Sequence, residues 1–394
     1  MNSVLQLLAL VVIACLATFL LERGGRVGYG WVTGSEFLVA GLLLGPLGLD
    51  LVSADLLHES KVLVILASAW IGLRAGLRFR RSRIEKWSWR PLLSSQIEPV
   101  LSLLILRGAL EASRALWGWP DSNWRAWIFA AIGATTTRSA VAWIKRRHGA
   151  KGPVTDVLSA ITALNDLPSI LAIGFLFAWV RPADTHPLSQ VWVLLLASLI
   201  LALALAAIVR LISGSGGFKP DLAWIALFGA CAIAAGTSEP LGLKSLVVCS
   251  FIGILLGWIS PYGDRFEEIT RSTERPTIQL LLLLGGASIR GARGTFAMGL
   301  VFALLRLLSK LLAGGITGLI ARPDGKPLPG LGMGLLAGGG VAFALAFSAS
   351  LDLPSSAAEP LLAGAAAMVL LGDMVGSPAL KWILRRQREM GETR

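Results

Sequence analysis

The sequence predicts an all-α polytopic membrane protein with about 13 transmembrane helices, and two observations support this prediction. First, 55% of the 394 residues are hydrophobic and only 15% are charged, whereas a soluble protein carries about 25% charged residues. Second, the apolar residues are gathered into segments near the length of about 20 residues that a helix needs to cross a bilayer. No polar segment is long enough for a soluble domain, so the function must reside among the helices.

The first span begins after three uncharged residues and lacks a small-residue cleavage site, so we expect a retained helix rather than a signal peptide. The whole chain, 1–394, is predicted to be a single transmembrane transporter domain in contact with the lipid bilayer. The predicted spans cover 4–21, 35–49, 60–77, 92–113, 124–143, 154–179, 188–212, 221–237, 241–259, 276–289, 295–320, 330–350 and 360–384.

The basic residues indicate the orientation, because loops on the cytoplasmic side carry an excess of Lys and Arg. Basic clusters follow the third and fifth spans and close the chain, which predicts an N-terminus outside and a C-terminus in the cytoplasm of a bacterial inner membrane. The net charge of +12 therefore does not indicate nucleic-acid binding. The clusters comprise Arg74, Arg78, Arg80, Arg81, Arg83, Lys86 and Arg90, then Lys145, Arg146, Arg147 and Lys151, then Lys381, Arg385, Arg386, Arg388 and Arg394.

An odd number of spans permits two inverted halves joined by one helix, an arrangement common in secondary transporters. We expect the halves at 1–187 and 220–384, with a linking helix and loop at 188–219 and a short basic tail at 385–394. The fifth span and its counterpart, the twelfth, are both interrupted by poor helix formers, which points to a transport site. Tight packing of small residues is the alternative explanation. The interrupting residues include Thr135, Thr136, Thr137, Gly338, Gly339 and Gly340.

Charged residues lie within the predicted spans, where their cost makes each a candidate for function. Asp166 follows Asn165 near the middle of the sixth span, and Pro168 is expected to loosen the helix there. Such a carboxylate holds either a proton or a monovalent cation, and competition between them produces exchange; a structural ion pair with Arg138 is the alternative. The other charged candidates, each with counter-charge or packing roles left open, are Arg138, Arg306, Lys310, Glu98 and Asp373.

No metal site or cofactor is predicted. The three histidines, His58, His148 and His186, fall in loops or at helix ends with no cysteine near them in sequence, whereas a zinc site needs about four such ligands together. The sequence also contains no recognisable enzyme signature.

Several motifs, in their order along the chain, resemble the monovalent cation:proton antiporter superfamily and its sodium/proton exchanger family. They are the apolar run Leu38–Leu49 through Gly45-Pro46, then Ile71-Gly72-Leu73, Asn165-Asp166, Leu241-Gly242-Leu243 and Phe251–Gly257. The resemblance implies a homodimer with crossed, broken helices in a moving core domain. It also implies that Asp166 carries the ion and proton, and that Arg306 or Lys310 is the family's basic residue.

The chain departs from the family pattern at the fifth span, where the usual Thr-Asp-Pro is replaced by Thr137-Arg138-Ser139. The leading hypothesis is a secondary antiporter that exchanges Na⁺ or K⁺ for protons by alternating access, with Asp166, Asn165, Thr136 and Thr137 binding the ion. The alternatives are an anion or organic-acid transporter that uses Arg138, and a non-transporting sensor or scaffold of the same fold.

Overall fold

The structure is a computed structural model that describes residues 34–52, 54–85, 87–117, 123–180, 191–214, 217–291, 294–321, 326–328 and 330–390. Helices account for nearly all of this part, and it contains no β-strand. The first predicted span, 4–21, lies outside the described residues.

In chain order the helices are α1 (Ser35–Leu44), α2 (Ala54–Glu59), α3 (Lys61–Leu77), α4 (Arg81–Ile84), α5 (Trp89–Trp117), α6 (Asn123–Gly133), α7 (Arg138–His148), α8 (Pro153–Leu164), α9 (Asp166–Val180), α10 (Val191–Gly214), α11 (Pro220–Ser238), α12 (Ser245–Ile259), α13 (Gly263–Ala287), α14 (Thr295–Ala321), α15 (Gly340–Ser350) and α16 (Ser355–Arg386), with a 3₁₀ helix at Leu331–Leu335 before α15.

Six helical stretches in the described residues are long and apolar enough to cross a membrane. They are α5, the consecutive helices α8 and α9, α10, α11, α14 and α16. Shorter apolar helices include α1, α12 and α15. The fifth predicted span is α6 followed by α7, the sixth is α8 followed by α9, and the twelfth is the 3₁₀ helix followed by α15. These interruptions shorten the individual helices without removing the span.

One compact unit comprises Met1–Lys61, Ser88–Asp166 and Ile278–Arg394. At one end of it, an apolar cluster joins α7, α8, the 3₁₀ helix and the last turns of α16, through residues such as Ile144, Leu158, Leu331 and Ile383. Van der Waals packing of these side chains holds the interrupted helices against the continuous ones, because lipid supplies no hydrophobic driving force between helices.

The other compact unit comprises Val62–Trp87 and Leu167–Thr277. Its apolar cluster is formed by α3, α10, α11 and α12, around side chains such as Leu73, Leu205, Leu227 and Ile252. Glycines allow α3 and α12 to touch through their backbones. A β-carbon added at Gly76 would lie 2.0 Å from the Ser250 carbonyl oxygen, so no larger residue fits at this contact.

The prediction that Arg74 follows the third span is wrong. Arg74 lies inside α3 and is 1% exposed, and Arg78, directly after it, is also buried. Arg74 Nη2 lies 2.6 Å from Glu274 Oε2, and Arg78 pairs with the same carboxylate. The acidic partner lies in the polar first half of α13, which begins at Gly263, thirteen residues before the predicted start of the tenth span. Pairing with Glu274 takes both guanidinium groups out of the exposed basic cluster.

Candidate functional site

The fifth span is interrupted between Gly133, the last residue of α6, and Arg138, the first of α7. The hydroxyl of Thr135 donates to the Ile132 carbonyl at 2.8 Å, and the Thr137 hydroxyl accepts from the Ser139 amide at 3.3 Å, capping α7. Threonine side chains that bond nearby backbone groups compete with helical hydrogen bonds. The local sequence therefore ends one helix and starts the next within five residues.

The twelfth span is interrupted between the 3₁₀ helix and α15, and the connecting Gly339 is extended, with φ −129° and ψ 155°. Helix α16 explains why glycines occupy this stretch. A β-carbon at Gly338 would lie 2.5 Å from the Met368 carbonyl oxygen, and one at Gly372 would lie 2.2 Å from the Gly338 amide nitrogen. Glycine is thus required at both Gly338 and Gly372, where α16 contacts the interruption. The next residue in the span after Gly339, Gly340, is the first residue of α15.

The two interruptions contact each other, in agreement with the crossed, broken helices that the family resemblance implies. The Thr137 amide donates to the Ala337 carbonyl at 3.3 Å, and the buried Thr136 hydroxyl lies 3.5 Å from the Leu335 carbonyl. A β-carbon at Gly339 would come within 2.7 Å of Thr137 Cβ. Of the predicted residues, Thr136, Thr137 and Gly339 are therefore brought together at the crossing.

Arg306 of α14 binds the backbone of both interrupted spans. Its guanidinium donates to the carbonyls of Gly133 at 3.2 Å and Thr135 at 3.0 Å in the fifth span. It also donates to those of Leu336 at 2.7 Å and Ala337 at 3.3 Å in the twelfth. The side chain is fully buried. A cation at these C-terminal helix ends compensates for carbonyls that have no partner within the helix.

Lys310, one turn from Arg306 on α14, forms an ion pair with Glu98 of α5. Its ammonium lies 3.0 Å from Glu98 Oε1 and also donates to the Ala134 carbonyl. Both side chains have no exposed surface. The pair therefore supplies the neutralisation that two charges in an apolar interior need.

The sixth span is interrupted at Asn165, directly before Asp166. Asn165 ends α8, with its amide bonded to the Ile161 carbonyl at 3.0 Å, and Asp166 is the first residue of α9. Pro168 falls in the first turn of α9, where a missing amide hydrogen costs little. Asp166 thus lies at the positive end of the α9 dipole, which stabilises a negative charge there.

Both residues at this break are buried, Asn165 completely and Asp166 with 4% exposure. Within the described part of the chain, neither polar atom of the Asn165 side-chain amide has a hydrogen-bond partner. A buried amide group is rarely left in that state, because the loss of its hydrogen bonds costs about 1–3 kcal/mol. The Asn165 amide is therefore a group suited to a ligand.

Two further predicted residues have distinct environments. Asp373 of α16 is buried and accepts a hydrogen bond of 2.5 Å from the Ser35 hydroxyl at the start of α1. Arg138 is half-buried as the first residue of α7, where the helix dipole disfavours a cation. The aspartate that the family has at this position would have the favourable sign.

Sequence reasoning missed Ser35 as the partner of Asp373, and it missed Glu389. The Glu389 carboxylate accepts hydrogen bonds from the first amides of α8. The signal for an external cap is the start of α8 itself, because Gly152 precedes Pro153 with no capping side chain. Over the described residues, no group of three or more His, Cys, Asp or Glu is placed to hold a metal ion.

Comparisons with known proteins agree with this architecture. The family described as "Sodium/hydrogen exchanger, transmembrane" matches residues 8–385. The fold is similar to a structure of the sodium proton antiporter MjNhaP1 from Methanocaldococcus jannaschii at pH 8, with a TM-score of 0.73, 17% identity and coverage of 98% of both chains.

A second structure of MjNhaP1, from an electron microscopy map, gives a TM-score of 0.71 and 15% identity, again over 98% of both chains. A search of curated proteins finds no match. The structural likeness confirms the predicted fold class, an all-α polytopic membrane protein with a sodium/proton antiporter-like arrangement. By the match over nearly its whole length, the chain belongs to the transmembrane sodium/hydrogen exchanger family.

Proposed function

We propose that this protein is a secondary antiporter that exchanges Na⁺ or K⁺ for protons by alternating access. The observation that carries the proposal is the Asn165-Asp166 break of the sixth span, buried in a chain of the sodium/hydrogen exchanger family. We further propose that the protein acts as a homodimer in a bacterial inner membrane, with its N-terminus outside and its C-terminus in the cytoplasm.

In this mechanism Asp166 is the carrier. When it is ionised, its carboxylate binds a dehydrated cation together with oxygen ligands, for which the Asn165 side chain and the Thr136 and Thr137 groups are the candidates. When it is protonated, the neutral acid releases the cation. Because one carboxylate serves both ligands, a proton and a cation compete for it, and their exchange needs no further chemical group.

The basic residues have supporting roles in this proposal. Arg306 and Lys310 bind carbonyls of the interrupted spans, so they hold the crossing in place rather than contacting the cation. The Glu98 carboxylate is committed to Lys310, and the Asp373 carboxylate accepts from the Ser35 hydroxyl, which favours Asp166 as the carrier. Arg138 adds a positive charge at the start of α7, and we expect it to weaken cation binding without preventing it.

The test is cation-induced recovery of a pH gradient in proteoliposomes, measured with Na⁺, K⁺ and Li⁺ over a series of pH values. We expect wild-type protein to dissipate the gradient with at least one cation, and Asp166→Asn to abolish this recovery. Asp221→Asn is the matched control, because Asp221 is exposed at the start of α11.

Two results would overturn the proposal. Recovery by Asp166→Asn at the wild-type rate would remove Asp166 from the carrier role. Failure of folded wild-type protein to respond to any of the three cations would refute antiport itself, and would redirect attention to anions and Arg138.

A further inference from the structure

The end of the chain folds back onto α8. After α16 ends at Arg386, Arg388 adopts a left-handed conformation with φ 56°, and the Glu389 amide donates to the Leu384 carbonyl at 3.0 Å. Met390 packs against the apolar cluster that joins α7, α8 and α16. The residues directly after α16 are therefore part of the packed unit.

Glu389 caps the N-terminus of α8 with both carboxylate oxygens. Oε1 accepts from the Val154 amide at 2.7 Å, and Oε2 accepts from the Thr155 amide and the Thr155 hydroxyl, each at 2.7 Å. The Lys151 amide also donates to the Glu389 carbonyl at 3.0 Å. The side chain is 7% exposed, so this is a buried carboxylate with specific partners.

This cap completes the hydrogen bonding at the start of α8. Pro153 has no amide hydrogen, Val154 and Thr155 donate to Glu389, and the Asp156 amide donates to the Gly152 carbonyl at 2.9 Å. A helix leaves about four such amides without internal partners. Gly152 makes the approach possible, because a β-carbon there would lie 2.4 Å from Glu389 Cδ.

Helix α8 connects this cap to the proposed ion site. It contains 12 residues, which corresponds to a length of about 18 Å, and it ends at Asn165 and Asp166. An α-helix transmits a displacement of one end to the other, because its backbone is hydrogen-bonded throughout. The placement of Asn165 and Asp166 therefore depends on how the N-terminus of α8 is held.

We propose that Glu389 is a positioning residue for ion exchange: its carboxylate anchors α8 to the end of α16 and thereby sets the position of Asn165 and Asp166. The transport part of this inference rests on the proposed antiport function. The structural part does not, because it concerns the order of α8 and of the break that follows it.

The test combines amide hydrogen exchange of the purified full-length protein with transport measured as above. In Glu389→Gln, one carboxylate oxygen is replaced by an NH₂ group, which cannot accept a hydrogen bond. At least one of the Val154 and Thr155 amides therefore loses its acceptor. We expect about fivefold faster exchange at the Val154 and Thr155 amides, the effect of losing a helix cap. We expect faster exchange at the Asn165 amide as well, and a rise of the apparent KM for the cation by about the same factor, with a smaller change in maximal rate.

Thr155→Val removes only the hydroxyl contact and should produce a smaller change in the same direction. It also keeps the proposal testable if Glu389→Gln does not fold. Glu268→Gln is the matched control, because Glu268 is exposed on α13, and it should change neither measurement.

Faster exchange at Val154 and Thr155 with unchanged exchange at Asn165 and unchanged KM would reduce Glu389 to a local cap and overturn the proposal. Unchanged exchange throughout α8 would overturn it as well. If the wild-type protein exchanges no cation, the proposed function fails, and the hydrogen exchange at Asn165 still decides whether Glu389 positions the break.

Discussion

The ammonium of Lys310 lies 3.0 Å from the Glu98 carboxylate, and neither side chain has any surface exposed. Removal of one partner leaves an uncompensated buried charge, which costs about 3–5 kcal/mol, whereas replacement of both by apolar residues costs much less. We expect Lys310→Met to lower the stability by this amount, and Lys310→Met/Glu98→Met to recover much of the loss. Thermal unfolding in detergent measures both.

Arg81→Met provides the control for this cycle, because Arg81 and Glu85 form an exposed pair within one helical turn. We expect no measurable change in its unfolding temperature. A double variant no more stable than Lys310→Met would contradict the prediction.

Arg306→Lys tests the connection between the two interrupted spans. Lysine keeps the charge but has a single nitrogen, so it cannot replace the guanidinium that binds four carbonyls. We expect a loss of about 3 kcal/mol in unfolding free energy, because buried carbonyls are left without donors, together with reduced transport. Arg210→Lys, at an exposed position on α10, should be neutral in both assays. Equal unfolding temperatures for the two variants would contradict the prediction.

Gly372→Ala tests the contact between α16 and the interruption of the twelfth span. The added methyl group would overlap the Gly338 amide nitrogen, at 2.2 Å, and overpacking of this kind costs about 1–3 kcal/mol. The control is Gly108→Ala in α5, where nothing lies within 4 Å of the new methyl group. We expect the control to gain about 0.5–1 kcal/mol, because alanine favours helix over glycine. Thermal unfolding of both variants should therefore shift in opposite directions, and shifts of the same sign would refute the explanation.

Arg138→Asp tests the departure from the family pattern. An aspartate at the first position of α7 is favoured by the helix dipole and restores an acidic group next to Thr137. We expect the apparent KM for the cation in the proteoliposome assay to fall by about fivefold, the effect of roughly 1 kcal/mol. Arg146→Asp changes the charge equally on an exposed part of the same helix and should leave KM unchanged. Loss of transport from folded Arg138→Asp protein would favour an anion as the substrate.

The interruptions of the fifth and twelfth spans could be predicted from sequence, because threonine and glycine lower helix propensity locally. The sequence predicts the break of the sixth span only through Pro168. The structure places the break at Asn165, since a proline is tolerated in the first turn of the helix that follows.

The start of α13 could not be predicted from hydropathy. Its first half carries Glu267 and Glu274, whose charges are paired with arginines of α3 and of the segment after it. These ion pairs join residues about 200 positions apart in the sequence. A hydropathy average over neighbouring residues does not include the partners, and it therefore predicts a polar loop for this segment. For the same reason, local sequence predicts a loop position for Arg74, which is in fact buried.

The separate tasks of Arg306 and Lys310 also depended on tertiary structure. Both are one turn apart on a single helix, and sequence gave no reason to prefer either as the partner of Glu98. Lys310 is the partner of Glu98 because its side chain reaches α5, whereas the Arg306 side chain reaches the crossing. Glu389 is the extreme case, since it caps amides 234 and 235 positions away.

The crossing is held chiefly by the Arg306 guanidinium, which binds carbonyls of both spans, and from positions 136–138 the Thr136 hydroxyl adds a contact to the Leu335 carbonyl. We therefore expect a substitution at position 138 to disturb the scaffold less than a substitution of Arg306. The fold of the family is thus compatible with an arginine at this position.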